Sequence, residues 1–172
     1  MKFNNLLAYL VFGVTAAVAS PVPKPEAALY NLPSLNAAQS GYAKSIIAKA
    51  KAAGVQRHGC QAAIATGLVE SKLLMYANNA VPASLTYRHG GISSDHDSIG
   101  IFQQRASVYK NIACSMDAGC SAGQFFSQMK RIGGWQTLSV GALCQKIQQS
   151  SFPDRYEKQV AAAASICAAG GL

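Results

Sequence analysis

The stretch from Cys60 to Leu74 constrains the fold of this chain more than any other, because it has the length of a helix but lacks a polar face. Ala63, Ile64 and Leu68 place small or apolar side chains on nearly every side of that helix. A helix without a polar stripe is stable only when other elements surround it. The sequence therefore predicts a domain with this helix at its centre.

Helical patterns precede and follow the central stretch, and no convincing run of alternating strand residues accompanies them. The further predicted helices span residues 36–54, 106–112, 118–132, 139–149 and 153–168. Asn36 is suited to cap the first of these, and Gly54 to end it. Residues 76–98 have the composition of a long loop. We expect a mostly α fold with at most a short β-hairpin around residues 95–103.

The first 35 residues are expected to lie outside the folded domain. Lys2 precedes an apolar run of about 14 residues that ends in Ala17 and Ala19, which is the pattern of a cleavable signal peptide over residues 1–19. A membrane anchor is less favoured, since a spanning helix needs roughly 20 apolar residues. Residues 20–35 are rich in proline, which predicts an extended arm or a removable pro-segment. The predicted folded domain is 36–172, secreted to the extracellular space.

Export would place the five cysteines in an oxidising compartment, where pairing is favoured. Cys114 and Cys120 flank a turn-rich segment and form the most favoured bridge. A bridge between Cys144 and Cys167 is less favoured, because their positions on an antiparallel helix pair would be offset by roughly 13 Å. The remaining pairing is left open, and an odd number leaves one cysteine over.

The charge balance limits the class of partner. Of 172 residues, 50% are hydrophobic, which suffices for one domain with a core and argues against disorder. Fifteen basic against seven acidic residues give a formal charge of +8, which favours anionic partners such as nucleic acid, acidic lipid or bacterial wall polymer. The basic residues are scattered rather than aligned on one helix, which disfavours a membrane-active role. No second pair with zinc-ligand spacing accompanies His58 and Cys60, so no metal is expected.

Among the acidic residues, Glu70 stands out because it lies one turn from the end of the apolar helix, next to Val69 and Leu73. Burial and the negative end of the helix dipole both disfavour its anion, so we expect it to keep a proton that it can donate as a general acid. The alternative is a solvated glutamate at a helix end. Asp95 and Asp97 in the long loop either cap local turns or supply a second carboxylate.

Four motifs follow one another along the chain: Glu70-Ser71, then residues 94–105 with the sequence SDHDSIGIFQQR, then Gly134-Trp135, then residues 151–156 with the sequence SFPDRY. Their order and spacing resemble a lysozyme-like domain of actinobacterial cell-wall lytic proteins. More distantly, they resemble lytic transglycosylases and goose-type lysozymes. The similarity covers roughly residues 54–167, and the Gly-Ile-Phe-Gln segment about 30 residues after Glu-Ser is its most specific part.

The resemblance implies a helical lysozyme-like fold in which Glu70 is the catalytic acid and the Gly-Ile-Phe-Gln segment forms a wall of the cleft. It implies a muramidase that needs no cofactor and cleaves the β-1,4 bond between N-acetylmuramic acid and N-acetylglucosamine in bacterial peptidoglycan. Ser71 would hold the muramyl side of the substrate or brace the catalytic carboxyl group. Gln103, joined by Gln104, would face the sugar. We expect a monomer that binds neither nucleic acid nor the membrane interior.

The second carboxylate departs from the goose-type pattern, which has one aspartate before the Gly-Leu-Met-Gln segment and another just after it. Asp97 and Asp95 are both candidates for the first, with Asp97 preferred, whereas Arg105 takes the place of the second. Hydrolysis is favoured over transglycosylation, and a non-catalytic glycan-binding protein is a further alternative. Tyr87 in the long loop and Tyr156 near the last helix are candidate substrate contacts.

Overall fold

A computed structural model describes residues 30–172, so the predicted signal peptide 1–19 and residues 20–29 lie outside the described residues. Within the described part the fold is mostly α, as predicted. Its α-helices are α1 Ala37–Ala52, α2 Gln56–Ser71, α3 Ile112–Ser115, α4 Ala118–Met129, α5 Val140–Gln148 and α6 Val160–Ala169. Its strands are β1 Tyr76–Asn78, β2 Gly91–Ser93, β3 Ser98–Ile99 and β4 Gln104–Arg105. No helix in 30–172 combines the length and hydropathy needed to cross a bilayer.

Helix α2 lies at the centre of the domain, which confirms the prediction from its missing polar face. It packs against α1, α4, α5 and α6, and every residue from 62 to 67 is buried. A side chain at Gly67 would collide with Leu73 and Ile101, so this glycine allows the segments after the helix to approach its axis. Helix α2 ends at Lys72, whose φ of 55° turns the chain away. The end of α2 therefore lies against Leu73, which follows the helix directly, and against Ile101, which is distant in sequence.

Two disulfides connect the described residues. The predicted Cys114–Cys120 bridge is confirmed, and it joins the short α3 to the start of α4. The second bridge joins Cys60 of α2 to Cys167 of α6 across a Cα–Cα distance of 6.2 Å. The less favoured pairing of Cys144 with Cys167 is thereby excluded. Cys144 is buried as a free thiol, in line with one cysteine being left over.

The long loop contains more regular structure than predicted. Strands β1 and β2 pair in parallel, with Tyr76 opposite Gly91, and a 3-10 helix over Pro82–Thr86 lies between them. Strands of three residues are too short to show the alternation of apolar and polar side chains, so they could not be predicted from the sequence pattern. The predicted hairpin is present: β3 and β4 pair antiparallel, with Ile99 opposite Gln104.

Two predicted helices are wrong in extent. Residues 106–111 form turns, and only α3 follows them, capped by the side chain of Asn111. The predicted helix 153–168 is broken into 3-10 turns at Pro153–Arg155 and Glu157–Gln159 before α6 begins. Between these turns Tyr156 is fully buried. Packing of this side chain in the interior overrides the local helical preference.

The proline-rich segment does not lie wholly outside the core. Leu32 and Leu35 are buried members of the hydrophobic core. The Leu32 backbone N–H donates to the Ser40 hydroxyl at 2.9 Å. The Lys44 ammonium lies 4.3 Å from the centre of the Tyr30 ring. The prediction of an arm ending at residue 35 is therefore corrected: the folded unit includes residues 30–35. Burial of two leucines outweighs the prolines around them.

Candidate active site

A cavity of about 340 Å³ lies where the end of α2 meets the β3–β4 hairpin and the end of α5. Five of the residues that the sequence singled out line it: Glu70, Asp95, Gln103, Gln104 and Tyr156. They come from four separate parts of the chain, and the fold brings these parts together around one cavity. The other three singled-out residues, Ser71, Asp97 and Tyr87, do not line this cavity.

Glu70 is the penultimate residue of α2 and is half-buried. The Tyr156 hydroxyl donates a hydrogen bond of 2.5 Å to Glu70 Oε1. Burial raises the pKa of Tyr156, and the hydrogen bond to Glu70 raises it further, so the phenol stays protonated and acts as a donor. Glu70 Oε2 receives no hydrogen bond from residues 30–172. One carboxyl oxygen is thus held by the protein, and the other has no protein partner in this part of the chain.

Ser71 links the end of α2 to the hairpin. Its buried hydroxyl lies 2.8 Å from the Ile101 carbonyl oxygen and 3.2 Å from that of Gly67. Ser71 therefore contacts the protein rather than the cavity, and the prediction that it binds substrate is corrected. The other prediction, that Ser71 braces the Glu70 carboxyl group, has no hydrogen bond behind it among residues 30–172: the hydroxyl ties α2 to the hairpin instead. The turn of the hairpin depends on Gly100, whose φ is 77° and where any side chain would collide with the Ser115 carbonyl group.

Gln103 and Gln104 lie along the cavity wall in different states. The Gln103 side chain is held at both ends: its Nε2 donates to the Gly100 carbonyl at 2.8 Å, and its Oε1 accepts from the Ser93 hydroxyl at 2.8 Å. Gln104 is buried, and its Oε1 has no hydrogen-bond partner among the described residues. Gln103 therefore shapes the wall, whereas Gln104 retains unused hydrogen-bonding capacity.

The two loop aspartates have different environments. Asp95 lines the cavity, accepts from Ser98 Oγ and His96 Nδ1 at 2.8 and 2.9 Å, and has a side chain that is 67% exposed. These hydrogen bonds lower its pKa, so it is an anion at neutral pH. Asp97 forms an ion pair with Arg105 and accepts from the Ser107 backbone N–H. The Arg105 hydrogen bond, with that of Ser107, holds the pKa of Asp97 far below its usual range.

These contacts reverse the order of the two candidates. Asp97 does not line the cavity and is paired with Arg105, which does. This arginine occupies the position at which the goose-type pattern has its second aspartate. The preference for Asp97 as the second catalytic carboxylate is therefore corrected. Asp95 is the carboxylate that shares the cavity with Glu70. The sequence did not separate them, because the difference depends on which one Arg105 reaches across the hairpin.

Asn78 fixes the loop that carries Asp95. Its buried Nδ2 donates to the carbonyl groups of His96 and Ser98 at 3.0 and 3.1 Å, and its Oδ1 accepts from the Ala80 N–H at 2.8 Å. Sequence analysis assigned this asparagine only to the loop composition. Asn78 precedes Asn79 and Ala80, which are both exposed, so its place in the sequence gives no signal for such a role.

Tyr87 lies elsewhere. It lines a separate cavity of about 650 Å³ beside α1, together with Tyr42 and Arg88, so its predicted place in the catalytic cleft is corrected. The aromatic residue that does line the candidate active site from the loop side is Tyr109. The α5 side of the cavity, which includes Gln148, was missed as well. The Gln148 Nε2 donates to the Phe102 carbonyl at 3.1 Å and so ties α5 to the hairpin.

Comparison with protein-family models and with curated protein sequences finds no match to this chain. Its function is therefore argued from the geometry of the cavity and from the motifs in the sequence.

Proposed function

We propose that this protein is a secreted lysozyme, a muramidase that hydrolyses the β-1,4 bond between N-acetylmuramic acid and N-acetylglucosamine in bacterial peptidoglycan. The observation that supports the proposal most strongly is the position of Glu70. It is a half-buried carboxyl group at the end of the central helix, and it lines a cavity together with a buried tyrosine donor and two glutamines. Enzymes that cleave glycosidic bonds need such a carboxylic acid beside the bond.

In the proposed reaction, Glu70 protonates the oxygen that leaves when the glycosidic bond breaks. The Tyr156 hydroxyl, which remains protonated, stabilises the carboxylate that Glu70 becomes. Asp95 is an anion on the cavity wall, so it stabilises the positive charge that develops on the sugar ring or accepts a proton from the attacking water. Water then adds to the anomeric carbon and gives its proton to Asp95 or, where Asp95 only stabilises the charge, to the Glu70 carboxylate. The product has a free reducing end.

A lytic transglycosylase is the second candidate, and one observation favours it. Asp97 does not line the cavity and is paired with Arg105, and both oxygens of Asp95 already accept hydrogen bonds. A transglycosylase needs no second carboxylate, because the 6-hydroxyl group of the sugar attacks in place of water. The two reactions differ in product: hydrolysis leaves reducing ends, whereas transglycosylation leaves 1,6-anhydro ends, and mass spectrometry distinguishes them.

Replacing Glu70 by Gln tests the proposal. Release of soluble fragments from purified peptidoglycan should fall by at least about 10³-fold, since the amide has no proton of comparable acidity to give. Glu157→Gln is the matched control: it removes the same charge from an exposed residue that does not line the cavity, and it should keep full activity. Binding of the Glu70→Gln protein to insoluble peptidoglycan should persist. Wild-type protein that binds without releasing fragments would instead be a non-catalytic glycan-binding protein.

Secretion and monomeric state belong to the same proposal. Two disulfides among the described residues support folding in an oxidising compartment. The formal charge of +8 supports attraction to anionic bacterial walls, which an antimicrobial role would use.

A further inference from the structure

The candidate active site continues into a second cavity. This neighbouring cavity has a volume of about 350 Å³ and lies between α4 and α5. It shares three lining residues with the first: Val108, Tyr109 and Ile147. The two cavities therefore form one groove, which we call the extended groove. It runs from Glu70 past Tyr109 to the far end of the second cavity.

The charge changes sign along the extended groove. The first cavity is lined by two carboxylates, Glu70 and Asp95, and by one cation, Arg105, which is paired with Asp97. The second is lined by Arg131 and Lys146 and by no acidic residue. Both basic side chains are exposed, and neither forms an ion pair with a carboxylate in residues 30–172. Burial raises the pKa of Tyr109, and the Gln128 hydrogen bond and the positive charge of Arg131 oppose that shift.

We infer that the Arg131–Lys146 end of the extended groove binds carboxylates of the stem peptide that peptidoglycan carries on its N-acetylmuramic acid residues. This inference rests on the proposed function. The glycan backbone is uncharged and offers nothing to two cations, but the stem peptide is anionic and is attached to a sugar of the bond to be cleaved. A cationic end continuous with the cavity that cleaves the bond would therefore select peptide-bearing glycan over bare glycan.

The experiment uses two polymers prepared from one batch of peptidoglycan that is free of teichoic acid: one intact, and one stripped of its stem peptides by an amidase. The amidase leaves a free lactyl carboxylate on each N-acetylmuramic acid, so the stripped polymer lacks the carboxylates of the stem peptide but still carries one anionic group on the sugar. Arg131→Gln/Lys146→Gln should raise the KM for intact peptidoglycan by about fivefold at low salt, the effect expected from losing two exposed ion pairs. On stripped glycan the KM of this variant should equal that of wild type. The kcat should be unchanged on both, since neither residue lines the cavity of Glu70.

A matched control removes the same charges elsewhere. Arg57 and Lys49 are exposed and line neither part of the extended groove. Arg57→Gln/Lys49→Gln should change the KM for intact peptidoglycan by less than about twofold. Equal effects of the two double variants, or an equal effect on stripped glycan, would overturn the inference. So would an effect confined to walls that carry teichoic acid, because phosphate would then be the ligand.

The outcome also separates this inference from the proposed function. Wild-type protein that cleaves both polymers upholds the proposed function, whatever the double variants do. Wild-type protein that cleaves neither overturns both claims. Thermal unfolding of the variants, expected within a few degrees of wild type, excludes loss of folding as the cause.

Discussion

Replacing Tyr156 by Phe removes one oxygen atom from the candidate active site and leaves the buried ring in place. The lost interaction is the hydrogen bond of 2.5 Å to Glu70 Oε1. A hydrogen bond to a charged group contributes about 1.5–3 kcal/mol. Because Glu70 is half-buried, water replaces part of this interaction, and we take the lower bound of about 1.5 kcal/mol, which corresponds to about tenfold in rate.

The expected result is a fall of about tenfold in kcat on purified peptidoglycan with little change in KM, since the bond stabilises the carboxylate that forms as the proton leaves. Initial rates measured at limiting and at saturating peptidoglycan, with thermal unfolding as the folding control, test this division between kcat and KM. A variant with unchanged kcat would refute this role of Tyr156.

Four further predictions concern Asn78, the Cys144 thiol and the net charge. Asn78→Ala should destabilise the domain by about 2–3 kcal/mol, measured by thermal unfolding, because its buried side chain loses two hydrogen bonds. It should also lower fragment release, because the loop that carries Asp95 is no longer held in place. Asn79→Ala changes an exposed neighbour and should have neither effect. Burial raises the pKa of the Cys144 thiol to about 11, so iodoacetamide should label this residue only after unfolding, one label per chain by mass. The raised pKa also means that this thiol contributes stability below about pH 8.5, the range of an unfolded thiol, and loses it as the pH rises towards 11; a urea titration at each pH would detect the loss. Fragment release from walls should fall severalfold between about 20 and 200 mM salt, and a flat salt profile would contradict attraction by net charge.

The helical framework could be predicted because its signals are local. The apolar character of α2, the short loop between Cys114 and Cys120, and the cap-and-breaker pattern of α1 are each contained within a few residues of sequence. The Cys60–Cys167 bridge has no such signal. It depends on α6 returning to lie against α2 across 107 residues, which is a consequence of the whole fold.

The candidate site could be predicted in part for the same reason. Glu70 was identified from its own apolar surroundings, and the hairpin motif placed Gln103 and Gln104 beside it. The choice between Asp95 and Asp97 depended on the position of Arg105, which no periodicity encodes. The contributions of Tyr109 and the α5 side depend on tertiary packing between segments about 40 residues apart, so sequence patterns alone did not indicate them.

The most direct measurement is mass spectrometry of purified peptidoglycan after incubation with wild-type protein and with Glu70→Gln. If Glu70 is the proton donor of a muramidase, the wild-type digest will contain muropeptides that end in reducing N-acetylmuramic acid, and the variant digest will contain none above background. Equal muropeptide release by the two proteins, or none by wild type, would contradict this account of the protein.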